Sequence, residues 1–562
     1  MASSNSIAPS LTILLVVLAL SLNPCLGDGN AGAVLAMCSD VPDPSYCQSL
    51  VGRSGFGKDI HDYGRSFIGR SLSRSHRFIE TVEKFLEEFL FLPTPTVRAL
   101  KECRSLSGTN AAFLTTSSEV VNATTGETIS ESRAVDVHTW LSAVLTNQQT
   151  CLDGLQEVSP HWNIWEAIFV PLYDDLKLFG VCLSLFIKGW VNGKGPGSPP
   201  NSHQAGPEHG RLILKMSSQT KAIYDSIHHH RRLLQADEQN PILISNILVV
   251  SQDGTSNCTN ITSAVNLAPN NTDGTSGYFL IYVTAGVYQE YVSIPSYKNY
   301  LIMIGDGINQ TVVTGNRSVV DGWTTFGSAT FIVSSSNFIA VNMTFRNTAG
   351  PIKHQAVAVR NSADFSVFYS CSFDGFQDTL YVHSLRQFYR ECDIYGTVDF
   401  IFGNAVAVFQ DCNIYPRQPM NGQSNTITAQ GRTDPNQNTG ISIHNCTITA
   451  TADLTNSNFP VSTYLGRPWK EYSRAVYIQN FMGSLVNPIG WLEWNGTFAL
   501  NTSYFGEFEN KGPGSNTSGR VKWLGYHLLN QTEAAKFTVA SFYLGTSWLS
   551  PTGVPYDSGL LV

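Results

Sequence analysis

The chain has 562 residues, 42% of them hydrophobic and 14% charged, with a formal net charge of −8. That length accommodates more than one buried core, and two domains are the default expectation. The acid excess and the lack of a basic stripe argue against nucleic acid as a partner. They also argue against strong electrostatic trapping on an acidic polymer, leaving room only for a local basic patch.

Residues 11 to 22, LTILLVVLALSL, form an apolar run shorter than a membrane span, and CLG follows at 25 to 27. This reads as a cleaved secretory signal over 1–27. The first ten residues carry no Lys or Arg, so a retained anchor is the alternative. No later segment is long and apolar enough to span, and no membrane span is expected in the mature form. Asn-X-Ser/Thr acceptors at Asn122, Asn257, Asn260, Asn309, Asn342, Asn445, Asn495, Asn516 and Asn530 fit a glycosylated extracellular protein.

The stretch from Ser66 to Phe91 reads as helical. Between residues 130 and 155, Val137, Trp140, Leu141, Val144, Leu145, Leu152 and Leu155 recur at three- and four-residue spacing, which predicts an amphipathic helix ending in Cys151. An all-α bundle stapled by disulfides is therefore expected over 28–191, with Cys38 paired to Cys47 and Cys103 to Cys151. Cys182 has no evident partner. Residues 192 to 236 read as a linker that opens on the Gly- and Pro-rich NGKGPGSPPNSHQAGPEHG. Near its end His228, His229 and His230 precede Arg231, Arg232, Leu233 and Leu234. Consecutive side chains diverge on a helix or strand, so three adjacent His make a poor metal site. An exposed dibasic cleavage site, cut by a processing protease between Arg231 and Leu234, is the better reading.

From residue 237 to 562 the pattern changes to short β-branched and aromatic runs separated by Gly, Asn and Asp: YFLIYVTAG, NYLIMIGDG, TFIVSSSNFIAVNMTF, FSVFYSCSF, AVAVFQDCNIY and GISIHNCTITA. Aligning CSF, CDI, CNI and CTI stacks Cys371, Cys392, Cys412 and Cys446 at one position, with a loop insertion around Gly422 to Gln437 in the last interval. An all-β, right-handed parallel β-helix explains this better than a sandwich. Adjacent coils bring equivalent Cα atoms within bonding reach, so a Cys392–Cys412 disulfide is expected first, with Cys412–Cys446 as the alternative.

Asp378 and Asp399 each stand seven residues after a ladder cysteine, with Gly375 and Gly396 midway. In register they lie roughly 4.8 Å apart, the strand spacing of any sheet. Two carboxylates that close cannot both ionise comfortably, which sets a nucleophile or base beside an acid at one pH. A solvated or calcium-binding Asp ladder is the structural alternative.

GVYQE (286–290), QAVAV (355–359), GFQDTLY (375–381), DFIFG (399–403) and LGRPW (465–469) resemble, in order and spacing, the five signature segments of plant pectin methylesterases. The N-terminal part resembles the pectin methylesterase inhibitor domain carried as a pro-region, most clearly in VHTWLSAVLTNQQTCLDG, and RRLL resembles the processing site of such precursors. The resemblance implies hydrolysis of galacturonate methyl esters in methyl-esterified homogalacturonan, without metal or cofactor. Asp399 would be the nucleophile. Asp378 would be the proton donor and then the base. Gln377, with Gln355, would steady the oxyanion, since amide N–H groups donate without changing charge with pH. Arg467 would orient Asp399, Trp469 would offer a flat face to a sugar ring, and Thr325 matches a substrate-contacting position. Tyr288 and Glu290 divide evenly between coil support and ligand contact.

Two departures from the pattern are visible. Phe376 stands where the family usually has Tyr, and 162 to 190 is unusually rich in aromatics for the final helices of an inhibitor domain. The rival readings are a glycosidase or lyase acting on the same polymer, since paired acids serve both, and a non-catalytic wall-binding protein. The two glutamines suit an acyl oxyanion better than an oxocarbenium ion, and the complete acid, amide and arginine set argues against mere binding.

Overall fold

The computed structural model of the protein describes residues 35–53, 59–89, 92–123, 128–158, 165–191, 212, 214–227 and 241–561. The signal-like run, the three histidines and the Arg231–Leu234 site lie outside the described residues. Among the described residues no helix is long and apolar enough to cross a membrane.

The N-terminal part is a helical bundle. Helix α1 (Pro44–Arg53) is tied back by the Cys38–Cys47 disulfide. Helix α2 (Ile60–Glu88) begins at Asp59, whose carboxylate accepts the Asp62 N–H, and buries Phe67, Ile68, Phe78, Val82 and Phe85. Helix α3 (Thr94–Asn122) is joined to α4 (Glu131–Val158) by the Cys103–Cys151 disulfide. Helix α5 (Val170–Phe186), followed by a π-helical turn over Ile187–Val191, completes the bundle, and the aromatics there account for the unusual composition of 162 to 190: Phe186 and Trp190 stack at 5.3 Å within the core. Cys182 is a buried thiol. The expected end of α4 at Cys151 is corrected. No breaker follows that cysteine, Leu152 and Leu155 continue the buried stripe, and the helix runs on to Val158.

From Ile242 onward the chain winds through three parallel sheets, of twelve, eight and seven strands among the described residues. The central coils each contribute one strand to each sheet, in register: Phe368 pairs with Tyr389 and Tyr389 with Phe409. Those three rings stack inside the coil at 5.4 and 4.4 Å. Between the first and second sheets the chain bends through one left-handed residue per coil, at Ser370, Glu391, Asp411 and Asn445. Each costs roughly 1 kcal/mol or more outside glycine, a strain offset by the continuous ladders on either side.

Three sequence expectations change here. The insertion around Gly422 to Gln437 is split, because strand Asn425–Gln430 keeps its place in the seven-strand sheet. The extra length therefore forms two loops, 417–424 and 431–439. The linker is shorter than 192–236, because Leu214–Met216 adds an edge strand beside Ile242–Ile244. Ser218–Ile227 is helical, and its Tyr224 packs on the apolar outer face of the twelve-strand sheet. Finally, Cys371, Cys392, Cys412 and Cys446 are all buried thiols, and neither the Cys392–Cys412 nor the Cys412–Cys446 bridge is formed. In-register parallel strands send equivalent side chains the same way, side by side rather than toward each other. Each sulfur instead meets its neighbour's backbone: the Cys392 N–H donates to Cys412 Sγ and the Cys412 N–H to Cys446 Sγ, both at 3.4 Å.

Candidate active site

The paired acids occupy one position on successive coils. Strand Leu380–Val382 pairs Leu380 with Ile401, so Asp378 and Asp399, each two residues earlier, stand side by side. Both adopt left-handed backbone conformations, φ +60° and +53°, which Asp tolerates better than most residues. Gly396 makes room for this turn, since a Cβ there would meet the Phe400 Cβ at 2.1 Å.

The two carboxylates have opposite surroundings. Arg467 grips Asp399 with two prongs, Nε to Oδ1 at 2.8 Å and Nη2 to Oδ2 at 2.6 Å. Thr426 Oγ1 also donates to Oδ1 at 2.6 Å. Oδ2 thus has one protein donor and Oδ1 two, leaving Oδ2 the freer oxygen. Asp378 has no such cation of its own. Burial pushes its carboxyl well above the usual range, and the charges of Asp399 and then Glu157 push it further, against Arg467. One acid is paired with a guanidinium, and burial beside that acid favours the protonated form of its neighbour.

Gln355 and Gln377 lie on the adjoining connections, where the Gln377 carbonyl accepts the Ala356 N–H at 3.2 Å. Among the described residues neither side-chain amide has a hydrogen-bond partner, so both are free to donate to a ligand. Trp469 packs edge-on to Phe402 and Tyr381, at 5.8 and 6.3 Å, and lies so close to Gly431 that a Cβ there would meet the indole at 2.7 Å. The Arg467 guanidinium sits 4.4 Å from the Trp494 ring, a partner sequence reasoning missed. Phe376, the departure from Tyr, is covered by Arg417 at 4.1 Å. Tyr288 and Glu290 are coil support: Tyr288 is buried, and Glu290 accepts the N–H groups of Ile261 and Thr262 at the start of helix Ile261–Leu267. Among the described residues no group of three or more His, Cys, Asp or Glu is placed to hold a metal ion.

A model of the pectinesterase family matches residues 247–546, and one of the plant invertase/pectin methylesterase inhibitor family matches 32–181. The chain belongs to the pectinesterase family. It is 56% identical over 540 residues to a probable pectinesterase/pectinesterase inhibitor 41 of Arabidopsis thaliana, covering 93% of this chain and 94% of that one. It is 50% identical over 428 residues to pectinesterase 2 of Citrus sinensis, covering 76% of each. The solved pectin methylesterase from carrot is similar over 58% of this chain and 100% of its own, at 47% identity and a TM-score of 0.54. The expected all-α bundle followed by a right-handed parallel β-helix is the observed architecture.

In this pectinesterase the bundle lies on the cleft. Helix α4 presents Asp136, Thr139, Ser142, Thr146, Thr150, Asp153 and Glu157 at helical spacing, on the face opposite its apolar stripe. Asp136 pairs with Arg386 at 2.9 Å, Thr139 accepts from Asn438, Thr146 from Asn404, and Asp153 pairs with Lys470 at 2.7 Å. Thr150 meets His383 at 2.9 Å. Glu157 takes both donors of Thr325, the N–H at 2.8 Å and the hydroxyl at 2.9 Å. Tyr381, Phe402 and, partly, Trp469 share an apolar cluster with Leu152, Leu155 and Phe169 of the bundle. The polar stripe has a 3.6-residue period that is legible in the sequence, but a polar helix face ordinarily means solvent. Thr426 carried no signal, being an unremarkable strand residue until the coil above placed Asp399 on its hydroxyl. Thr426→Val should lower kcat by roughly tenfold with KM nearly unchanged, because a donor that fixes Asp399 is lost while the volume is kept. Steady-state methanol release from methylated pectin checks this, and an unchanged kcat would remove Thr426 from the positioning of Asp399.

Proposed function

We propose that the protein hydrolyses galacturonate methyl esters in the methyl-esterified homogalacturonan of the cell wall, releasing methanol, with Asp399 and Asp378 as its catalytic pair. The observation that carries this reading is the contrast between them: Asp399 clamped on both oxygens by Arg467, beside Asp378 kept protonated by burial and by Asp399 itself. Asp399 Oδ2 attacks the ester carbonyl carbon. The oxyanion that forms takes N–H donors from Gln377 and Gln355, and as it collapses the C–O bond to methanol breaks while Asp378 gives the leaving oxygen its proton. Asp378, now a carboxylate, takes a proton from water, whose oxygen attacks the acyl-enzyme and frees Asp399 and the galacturonate acid. The acids, amides and guanidinium used are side chains of this chain, and Arg467 holds the Asp399 carboxylate in position for attack. Trp469 and Thr325 line the path of the polymer.

The bundle serves as an internal cover that blocks this path until the segment containing Arg231–Leu234 is cut by a processing protease. The signal-like start, the acceptor asparagines and the pectinesterase family support a location for the mature enzyme outside the cell, at the wall. The test is a pair of readouts on one methylated pectin sample, methanol release and polymer length. Methanol without shortening is expected; shortening without methanol would overturn the reading in favour of a glycosidase or lyase.

A further inference from the structure

Residues 212–227 stand before the Arg231–Leu234 site in the chain but pack as part of the β-helix. Strand Leu214–Met216 runs parallel to the next strand of the twelve-strand sheet, with Leu214 opposite Ile242, Lys215 opposite Leu243 and Met216 opposite Ile244. Ser217 then turns the chain into helix Ser218–Ile227: its hydroxyl accepts the Thr220 N–H at 3.1 Å, and Lys221 pairs with Asp225 one turn along at 2.6 Å. The helix lies back on strand Ile242–Val250.

What the segment covers is apolar. Along strand Tyr278–Val283 the side chains alternate: Phe279, Ile281 and Val283 enter the core inside the coil, while Tyr278, Leu280 and Tyr282 join a second cluster outside it. Parallel sheets that are apolar on both faces occur almost only where both faces are covered. Two segments supply the outer cover here. Helix Val539–Tyr543 packs on strand Val406–Gln410, near the middle of the sheet. Over the first strands the cover is 212–227: Leu212 and Tyr224 are 8% and 5% exposed within the same cluster, and the Tyr224 ring meets Tyr282 edge-on at 5.9 Å. Without this segment Ile242–Ile244 becomes an open sheet edge, and the Tyr282 ring loses that aromatic neighbour.

We propose that this edge and outer face, from Ile242 to Tyr282, form a docking surface whose partner is the chain's own segment 212–227, and that the segment holds the pro-region on the β-helix after a cut at Arg231–Leu234. The proposal rests on the reading of that site as the processing point. A cut there leaves the pro-region attached twice, by α4 at the cleft and by 212–227 at the sheet edge, with the 192–211 segment joining the two. Whichever attachment lets go first is kept near its partner by the other, and linked contacts of this kind outlast either alone by about 10² to 10⁴. A cut within 192–211 does the opposite. It leaves 212–227 on the β-helix and the bundle held by the cleft contacts alone. The position of the cut relative to Leu212 therefore sets how fast the cleft is uncovered.

The test uses two versions of the full chain, each given one site for an added protease, either within 192–211 or in place of Arg231–Leu234. After cutting and dilution, size-exclusion chromatography follows the rate at which the bundle leaves the β-helix. The chain cut at 231–234 should lose its bundle at least about a hundredfold more slowly than the chain cut upstream. Tyr224→Ala should speed that slow loss about tenfold or more, since truncations at an interface act mainly on dissociation, and should leave the rate after the upstream cut within about twofold of the parent's. Equal rates for the two cuts in the parent, or a Tyr224→Ala effect of the same size after both, would overturn the docking role. Because the protease is added, the result does not depend on where a cell cuts. A secreted chain found cut only before Leu212 would sink the Arg231–Leu234 reading and leave the docking surface standing.

Discussion

Asp399→Asn should bring methanol release down by roughly 10⁴ or more, the scale expected when a covalent nucleophile is removed. The amide keeps the volume and can still accept from Thr426 through its oxygen, but it cannot form the acyl bond. Its nitrogen would face Arg467 Nη2 donor to donor, where the carboxylate now accepts at 2.6 Å. Arg467 is 22% exposed and lies against the Trp494 ring, so it can turn toward solvent instead of remaining buried and unpaired. The fold should accordingly survive, with a melting temperature within several degrees of the parent. Asp399→Ala should be equally inactive. Near-parental methanol release from either variant would remove Asp399 from the mechanism, whereas loss of activity together with loss of the folding transition would leave only a structural role.

The second large effect concerns the bundle. With α4 over Thr325, Tyr381 and Phe402, the uncut chain should release methanol at least about a hundredfold more slowly than the same chain cut between residues 192 and 211 and stripped of its bundle. How firmly a cut bundle stays docked should depend on Glu102. That carboxyl accepts the Thr324 hydroxyl at 2.6 Å, and it faces Arg360, Glu157 and Arg98. Burial against the β-helix outweighs the hydrogen bond and both arginines, pushing it from 4.5 up to about 7. Burial raises Glu157 likewise, over its bonds to Thr325 and with Asp153 and Lys470 nearby. A carboxyl whose docked pKa is raised favours docking fully below its free value, and that favour is lost as pH rises toward the docked value, here from 4.5 to about 7.

His138 works the other way. Burial against the Asn436 carbonyl and near Arg474 and Arg432 lowers it from 6.5 to about 4, so docking is penalised as pH falls through that interval. In the parent the Glu102 and Glu157 slopes are opposed by that of His138 up to about 6.5, and docking weakens above. Glu102→Gln removes one slope. The variant bundle should dock like the parent near pH 4.5 and more tightly near pH 7.5, by roughly ten- to a hundredfold in dissociation constant. Binding of the separated bundle to the β-helix across that range decides it, and equal pH dependence in parent and variant would show that Glu102 does not set the response.

Much of this molecule is legible one coil at a time. Cys371, Cys392, Cys412 and Cys446 recur because each coil must put a small apolar side chain at the same inward point. The same repeat fixes Asp378 beside Asp399, so the proposed catalytic pair follows from counting. The apolar stripe from Val137 to Leu155 similarly announces α4, since burial of one helical face leaves a 3.6-residue period in the chain. These are local regularities, and a linear sequence carries them whole.

What the sequence by itself did not determine are the meetings between segments far apart in the chain. Glu157 reaches Thr325, Arg98 reaches Trp323, and Leu214–Met216 joins a sheet across a segment whose composition reads as linker. A polar residue on a helix face looks the same whether water or a distant hydroxyl satisfies it, and its free energy depends on which. The cysteine ladder makes the point in reverse: sequence brought four sulfurs to one level, but the direction of their Cβ bonds, set by parallel strands in register, kept them thiols. Local periodicity chose the elements and the acids. Docking of one domain on another decided which acids are shielded, which donors are occupied, and which part of the cleft is covered.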